Sequence, residues 1–240
     1  MVKRLARVIE VGNGCKVVFD DFRNVKLNEH ADLIFADPPF GIDFRGNLHT
    51  YHRTPDALSY KEVPLDEYPE FMKSLLNWSF KTLKSSGSMW LLSGWNNLGI
   101  VHQAIVEAGF HLLNHCIWRY QFGVFTKKRF TTSHYHLLLL IKDKKDYVFN
   151  KPQHYAEDVW NIKRPYNRGV QTAGNELPDK LVEKCVTTSS NKGDLVVDPV
   201  LGSGTTLKVC LQTNRRCIGI EINSALEERI KTKIKVNKNV

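Results

Sequence analysis

Two short apolar runs that each end in an acid and a sharp turn are the features that most constrain the fold of this chain. The first run, residues 33–36, is followed by Asp37 and two prolines; the second, residues 195–197, is followed by Asp198 and a glycine-rich loop. Short, wholly apolar runs are typical of buried parallel strands, and the prolines prevent the first strand from continuing. Open α/β sheets bind ligands beyond the carboxyl ends of their strands, so both acids are predicted to lie at a functional site.

The remainder of the chain alternates between predicted strands and helices. Helical spacing of apolar side chains predicts helices at residues 66–83, 96–108, 177–189, 205–213 and 224–236. Short apolar runs predict further strands at residues 7–11, 15–19, 88–93 and 216–221, and an antiparallel pair at residues 110–120 and 133–142. Residues 41–64 are predicted to form a long loop. We therefore expect one α/β domain over residues 1–240, built on a single doubly wound, mostly parallel sheet with one antiparallel strand pair.

The composition indicates a protein that binds a polyanion. The chain of 240 residues is 42% hydrophobic, which is enough for one sizeable core, and its formal net charge is +9. No apolar stretch approaches the roughly 20 residues that span a membrane, and the basic start lacks the apolar core of a signal peptide. We expect a cytoplasmic, nucleoid-associated protein with no membrane partner.

The cysteines and histidines do not indicate a metal centre. The five cysteines form no Cys-x-x-Cys pair, which is typical of reduced thiols in a cytoplasmic protein. His134 and His136 share one face of a predicted strand, but no second pair of ligands accompanies them. We predict no metal site.

The turn that follows Asp198 has the features of a nucleotide-binding loop. Gly202-Ser203-Gly204 lets the backbone turn closely before a predicted helix begins at Thr205. Glu221 ends the next predicted strand, near the offset at which an acid binds ribose hydroxyls in nucleotide-binding βαβ units. Two other interpretations stay open: a dinucleotide site, which would normally have a third glycine where Leu207 stands, and a simple helix-capping turn with an exposed acid.

Asp37-Pro38-Pro39-Phe40 and residues 198–206 together resemble the β class of S-adenosylmethionine-dependent DNA amino-methyltransferases. In that class the catalytic tetrapeptide precedes the cofactor loop, as it does here, whereas related enzymes that act on RNA or protein usually have the loop first. The resemblance implies a Rossmann-like methyltransferase fold with a permuted motif order and S-adenosylmethionine as the cofactor. The residues that it assigns to cofactor binding are Asn175, Asp198, Pro199, Gly202, Ser203, Gly204, Thr205 and Glu221.

The same resemblance assigns catalysis to the tetrapeptide. A nucleobase amino group is a poor nucleophile because its lone pair is delocalised into the ring, and two hydrogen-bond acceptors can free that lone pair. The Asp37 carboxylate and the Pro38 carbonyl would supply these acceptors, preorganised for the transition state. Pro39 keeps the peptide rigid and Phe40 stacks on the base, which reaches the pocket only when it is flipped out of the helix. Without the family pattern, Asp37 would be a turn former and Phe40 a core aromatic.

Basic residues near the predicted active face are expected to contact DNA phosphates. They are Lys127, Lys128, Arg129, Lys163, Arg164 and Arg168. Residues 143–174 lie where this class inserts its target-recognition region, so we interpret them as a short recognition insert. A homodimer and a cognate restriction endonuclease are further partners that the class allows.

We predict a site-specific DNA-methyltransferase that acts on adenine N6, because an initial Asp in the tetrapeptide goes more often with adenine and an initial Ser with cytosine. Cytosine N4, single-stranded DNA and RNA stay open as substrates, since the chemistry needs the same two acceptors. A DNA-binding pseudoenzyme is the other alternative. Two departures from the family favour it: Asn13-Gly14-Cys15 lacks the acid expected next to the cofactor adenine, and residues 173–178 lack the usual basic residue.

Overall fold

One mixed sheet runs through the computed structural model, which describes residues 6–42, 62–121, 123, 126–165 and 176–235. Within these ranges the strands are β1 (Arg7–Gly12), β2 (Cys15–Phe19), β3 (Ala31–Ala36), β4 (Leu83–Ser93), β5 (His111–Arg119), β6 (His134–Ile141), β7 (Val159–Asn161), β8 (Leu195–Asp198) and β9 (Arg216–Glu221). Their order across the sheet is β1-β2-β9-β8-β3-β4-β6-β5-β7. The strands from β2 to β4 in this order run parallel, as do β5 and β7, whereas β1–β2, β4–β6 and β5–β6 pair antiparallel. The predicted β5–β6 pair is confirmed.

Helices cover both faces of this sheet. They are α1 (Tyr68–Thr82), α2 (Leu98–Glu107), α3 (Asp179–Thr188), α4 (Thr205–Gln212) and α5 (Glu227–Lys235). On one face, α1 and α2 bury side chains such as Leu75 and Val101 against Ile34 of β3. On the other face, α3, α4 and α5 bury side chains such as Leu181 and Leu207 against the opposite side of the sheet. Each such buried side chain stabilises the fold by roughly 1.5–3 kcal/mol, and the two covered faces confirm the doubly wound arrangement.

The register of β3 and β8 brings the two predicted acidic turns together. Leu33 pairs with Val196 and Ile34 with Val197 in a parallel ladder. Parallel strands end at the same edge of a sheet, so the chain leaves β3 towards Asp37 next to the point where β8 ends. The position of the site at this edge therefore follows from the pairing of two short apolar strands.

Two strands differ from the sequence-based expectation. β4 begins at Leu83, directly after α1, rather than at residue 88, because Leu83 pairs with Ala31 of β3. Residues 85–87, which lie between the predicted helix and the predicted strand, therefore fall inside an irregular part of β4. β7 was not predicted at all; it has three residues and pairs parallel with β5 through Trp118 and Trp160. Both strands exist through contacts with distant residues rather than through local preference.

Several predictions fall on residues outside the described ranges. Residues 43–61 of the expected loop are among them, as are Asn175, Arg168 and part of the expected recognition insert. In the described part of the chain, no helix has the length and apolar character that crossing a membrane requires.

Candidate active site

The tetrapeptide Asp37-Pro38-Pro39-Phe40 follows β3 directly, and contacts at its exit fix its orientation. Asn97 Nδ2 donates to the carbonyl oxygens of Phe40 and Gly41, at 2.7 and 3.0 Å. The Gly41 N–H donates to Glu62 Oε2 at 3.1 Å. Gly41 has a φ of 65°, and a Cβ there would lie 2.5 Å from Cγ of Tyr68, so only glycine fits this position.

Aromatic side chains form a wall beside the tetrapeptide. The Phe40 ring lies edge-on to Tyr135, with 5.2 Å between ring centroids. Tyr135 pairs across the antiparallel ladder with Trp118, whose ring is 5.7 Å away, and it contacts Tyr120 at 5.5 Å. Inclined ring contacts of this kind fix the orientation of each ring as well as burying apolar area. We call the packed side chains of Phe40, Trp118, Tyr120 and Tyr135 the aromatic cluster.

The guanidinium of Arg164 packs against the aromatic cluster. Its Cζ is 4.0 Å from the ring centroid of Tyr120 and 5.0 Å from that of Tyr135, which is cation–π distance. The backbone is held by Gln121, whose Oε1 accepts the Arg164 N–H at 2.9 Å and whose Nε2 donates to the Arg164 carbonyl at 3.3 Å. Arg164 Nε is buried and has no hydrogen-bond partner among the described residues. The Arg164 side chain therefore faces the aromatic cluster. Its predicted contact with a DNA phosphate stays a prediction.

Asp37 and Asp198 bring two acids to the same edge of the sheet. Burial and then the nearby carboxyl of Asp198 raise the pKa of Asp37 to about 7, although the Arg164 cation opposes this rise. Burial also raises the pKa of Asp198 to about 7. The Asp198 carboxyl accepts the Val200 N–H at 3.0 Å and a hydrogen bond from the Thr206 side chain, and both favour its ionised form. A cation placed beside these acids would favour both carboxylates.

The turn at residues 199–205, which we call the glycine loop, can bring its backbone close to a ligand. Gly202 and Gly204 adopt φ values of 57° and 90°. A Cβ on Gly202 would meet nothing nearer than the Val200 carbonyl oxygen at 3.9 Å, so the loop is open at this point. Glu221 accepts the Gly202 N–H through Oε2 and the Asn223 N–H through Oε1, both at 2.7 Å. The Ile222 N–H is a third backbone donor to this carboxylate, which leaves one of its roughly four acceptor positions for a ribose hydroxyl.

Lys233 of α5 donates hydrogen bonds to the glycine loop. Its Nζ donates to Thr205 Oγ1 at 2.6 Å and to Ser203 Oγ at 2.9 Å. It also lies 3.3 Å from Glu176 Oε2, and Glu176 pairs with Arg229 at 2.9 Å. Burial lowers the pKa of Lys233, and the Glu176 carboxylate opposes this shift. The segment before α3 is thus tied to the glycine loop through a buried ammonium group.

The remaining residues predicted to contact DNA lie in two places. Lys127, Lys128 and Arg129 are exposed on the turn between β5 and β6. Lys163 is exposed next to Arg164. These positions agree with a role at the surface, and that role stays a prediction.

A cluster of histidines lies beside the ladder between β5 and β6. His115 Nε2 and His136 Nδ1 share a hydrogen bond of 2.7 Å, and the rings of His134 and His102 lie 5.1 Å from His136 and 6.0 Å from His115, respectively. Burial and then the neighbouring imidazoles lower the pKa of His136 to about 4. In the described ranges, no group of three or more His, Cys, Asp or Glu side chains could hold a metal ion.

Sequence reasoning did not identify Asn97, Tyr135 or Lys233. Tyr135 could have been found, because it alternates with His134 and His136 on a predicted strand and so occupies the opposite face. Asn97 and Lys233 gave no comparable signal, since each reaches its partners only after distant segments pack together. Their contacts are visible only in the folded structure.

Comparison with known proteins agrees with this geometry. A family model for N6/N4 methyltransferases, described as DNA methylase, matches residues 31–232. The chain is 26% identical over 239 residues to the type II methyltransferase M.HpaI of Haemophilus parainfluenzae, covering 92% of this chain and 73% of that protein. It is 28% identical over 229 residues to the DNA adenine methyltransferase YhdJ of Escherichia coli (strain K12), covering 82% of this chain and 73% of that protein.

A solved structure shows the same fold. The crystal structure of the M1.HpyAVI–SAM complex superposes with a TM-score of 0.68 at 21% sequence identity, covering 86% of this chain and 90% of that one. At this identity the likeness concerns the fold alone. It confirms the predicted Rossmann-like methyltransferase architecture.

Proposed function

This chain belongs to the N6/N4 family of DNA methylases, and on that premise we propose that it methylates adenine N6 in duplex DNA. The single observation that carries the proposal is the meeting of Asp37-Pro38-Pro39-Phe40 with Asp198 and the glycine loop at the ends of neighbouring strands. Adenine is favoured over cytosine by the initial Asp of the tetrapeptide and by the similarity to a relative named as an adenine methyltransferase.

The residues at the glycine loop fit S-adenosylmethionine, which we propose as the cofactor. The open backbone at Gly202 leaves room for a ligand, and the Glu221 carboxylate keeps one acceptor position for a ribose hydroxyl. Asp198, with the loop residues Pro199, Ser203, Gly204 and Thr205, would hold the methionine end, together with Asn175. When bound, the cofactor supplies an electrophilic methyl group on a positively charged sulfur, which the two nearby acids favour.

The tetrapeptide would activate the amine. Asp37 and the Pro38 carbonyl accept hydrogen bonds from the two N–H groups, which directs the nitrogen lone pair towards the methyl group. Phe40 would stack on the base, and Pro39 keeps the peptide rigid. In the transfer the amine nitrogen would bond to the methyl carbon as the carbon–sulfur bond breaks, S-adenosylhomocysteine would leave, and the amine proton would pass to the Asp37 carboxylate.

DNA would lie across the same edge of the sheet. Phosphate contacts would come from two groups of basic residues. One group is Lys127, Lys128 and Arg129 on the turn between β5 and β6, and the other is Lys163, Arg164 and Arg168. Residues 143–174 would contribute to target recognition within a single methyltransferase domain. We further propose a cytoplasmic, nucleoid-associated enzyme that pairs with a restriction endonuclease or acts as a homodimer.

The direct test is to incubate the protein with unmethylated duplex DNA and isotopically labelled S-adenosylmethionine, then digest to nucleosides and identify the product by mass spectrometry. We expect labelled N6-methyladenine. Labelled N4-methylcytosine would keep the mechanism and correct the base. Label in RNA alone, or cofactor binding without any product, would contradict the proposal.

A variant of Asp37 tests the assignment of roles within the site. Asp37→Ala should abolish methylation while leaving the affinity for S-adenosylmethionine within a few-fold of the wild type, because Asp198 and Glu221 remain in place. Glu107→Ala is a control acid, since Glu107 is exposed at the end of α2 and accepts a hydrogen bond from Gln103 at 2.8 Å. Retained turnover in Asp37→Ala would refute the role given to Asp37.

A further inference from the structure

Phe130 is the most exposed large apolar side chain in the described part of the molecule, at 99% relative exposure. It lies on the turn between β5 and β6, directly after Lys127, Lys128 and Arg129, which are exposed as well. A single exposed apolar residue is ordinary on a protein surface. The position of this one, however, is fixed by contacts that connect its turn to the active site.

Thr132 anchors the turn to the aromatic cluster. Trp95 Nε1 donates to Thr132 Oγ1 at 3.2 Å, and the Tyr120 hydroxyl donates to the Thr132 carbonyl at 3.4 Å. Trp95 follows Gly94, where a Cβ would lie 3.2 Å from the ring of Phe40. Phe130 is therefore two residues from Thr132, which contacts both Tyr120 of the aromatic cluster and the segment packed on Phe40.

The charge around Phe130 fits a nucleic acid. Three consecutive cations precede it, and such a run attracts phosphates and orients a duplex without reading its sequence. Proteins that distort DNA frequently insert an apolar side chain between base steps next to such cationic contacts. A flat aromatic ring also replaces part of the stacking that a base loses when it leaves the helix.

We propose that Phe130 inserts into the duplex next to the target base and fills the space that the base leaves when it is flipped towards the tetrapeptide. The inference rests on the proposed methylation of duplex DNA and adds a residue that acts on the DNA strand rather than on the reacting atoms. Phe130 is a positioning residue: it stabilises the extrahelical state and takes no part in the chemistry.

The test compares two duplexes that carry the methylated site, once that site has been mapped by sequencing DNA treated with the wild-type enzyme. One duplex is fully paired; in the other, the target base lies opposite an abasic site, which removes most of the cost of flipping. Phe130→Ala should lower the methylation rate on the paired duplex by about tenfold, the order expected for one aromatic–base stack. On the abasic duplex its rate should return to within about twofold of the wild type.

Two controls keep the result specific. Val106→Ala removes another exposed apolar side chain, 75% exposed on α2 and outside the segments assigned to DNA binding; it should leave both rates unchanged. Phe130→Trp should retain most of the activity on the paired duplex. Equal loss on both duplexes, no loss on either, or dissociation of an oligomer in Phe130→Ala would overturn the inference. Failure of the wild type to methylate duplex DNA at all would instead contradict the proposed function.

Discussion

Burial and the neighbouring carboxyl of Asp198 together raise the pKa of Asp37 to about 7, because the two acids lie at the ends of adjacent parallel strands. Asp198, itself buried, has a pKa raised to the same range. The free protein therefore holds protons near neutral pH at the place where a positively charged sulfur would bind. Ligand charge and protonation must be coupled at this edge of the sheet.

The affinity for S-adenosylmethionine should rise with pH between 6 and 8. Below pH 7 the cation must displace the proton from Asp198, which lowers the affinity by up to about tenfold per pH unit. S-adenosylhomocysteine, whose sulfur is neutral, should show a weaker pH dependence. Isothermal titration calorimetry of both ligands at several pH values measures the difference, and parallel pH profiles for the two would contradict the coupling.

The raised pKa of Asp198 also predicts that the ligand-free protein loses stability as the pH rises. For an acid whose pKa is higher in the folded state, the favourable contribution is present below the unfolded value near 4 and is lost as pH rises through 7. Asp198→Asn should therefore stabilise the ligand-free protein at pH 8, on the order of 2 kcal/mol. The gain should shrink towards pH 4. Thermal melts of the two proteins across this range provide the measurement, and an equal shift in melting temperature at both ends would count against a titration effect.

The position of the site could be predicted from the sequence because its determinants are local. Each strand is a short apolar run, and each turn begins with an acid followed by prolines or glycines that stop the strand. Since parallel strands end at one edge, the closeness of Asp37 and Asp198 followed from identifying the two strands. The order of the two motifs along the chain then predicted the family correctly.

The missed features depend on contacts between distant segments. The early start of β4 requires Ala31 to pair with Leu83, and β7 exists through its ladder with β5. The contact of Lys233 with Ser203 and Thr205 joins α5 to the turn between β8 and α4. Local propensity does not depend on such distant partners, so neither β7 nor the contacts of Lys233 could be predicted from it.

Arg164 should influence the pH dependence of turnover through Asp37. Its cation favours the Asp37 carboxylate, so Arg164→Gln should raise the pKa of Asp37 further and move the acidic limb of the kcat/KM profile to higher pH by about half to one unit. Arg164→Lys keeps the charge over the aromatic rings and should leave the limb near its original place. Profiles recorded at a single ionic strength separate the two variants, and an unmoved limb in Arg164→Gln would show that the charge is not felt at Asp37.

Lys233 should matter for cofactor affinity although it need not contact the cofactor. Lys233→Met keeps the length of the side chain but removes the donors to Ser203 and Thr205 and the pair with Glu176. The hydroxyls of the glycine loop then lose their fixed orientation, and the affinity for S-adenosylmethionine should fall by about tenfold, which corresponds to ~1.4 kcal/mol.

Lys231→Met is the matched control for this change, because Lys231 lies on the same helix and pairs only with the α5 residues Glu227 and Glu228 among its described partners. It should bind the cofactor as the wild type does. Lys233→Arg, which keeps the charge and the donors, should recover part of the lost affinity. If both lysine variants lower the affinity equally, the effect belongs to the general charge of α5, and the support of the glycine loop by Lys233 is refuted.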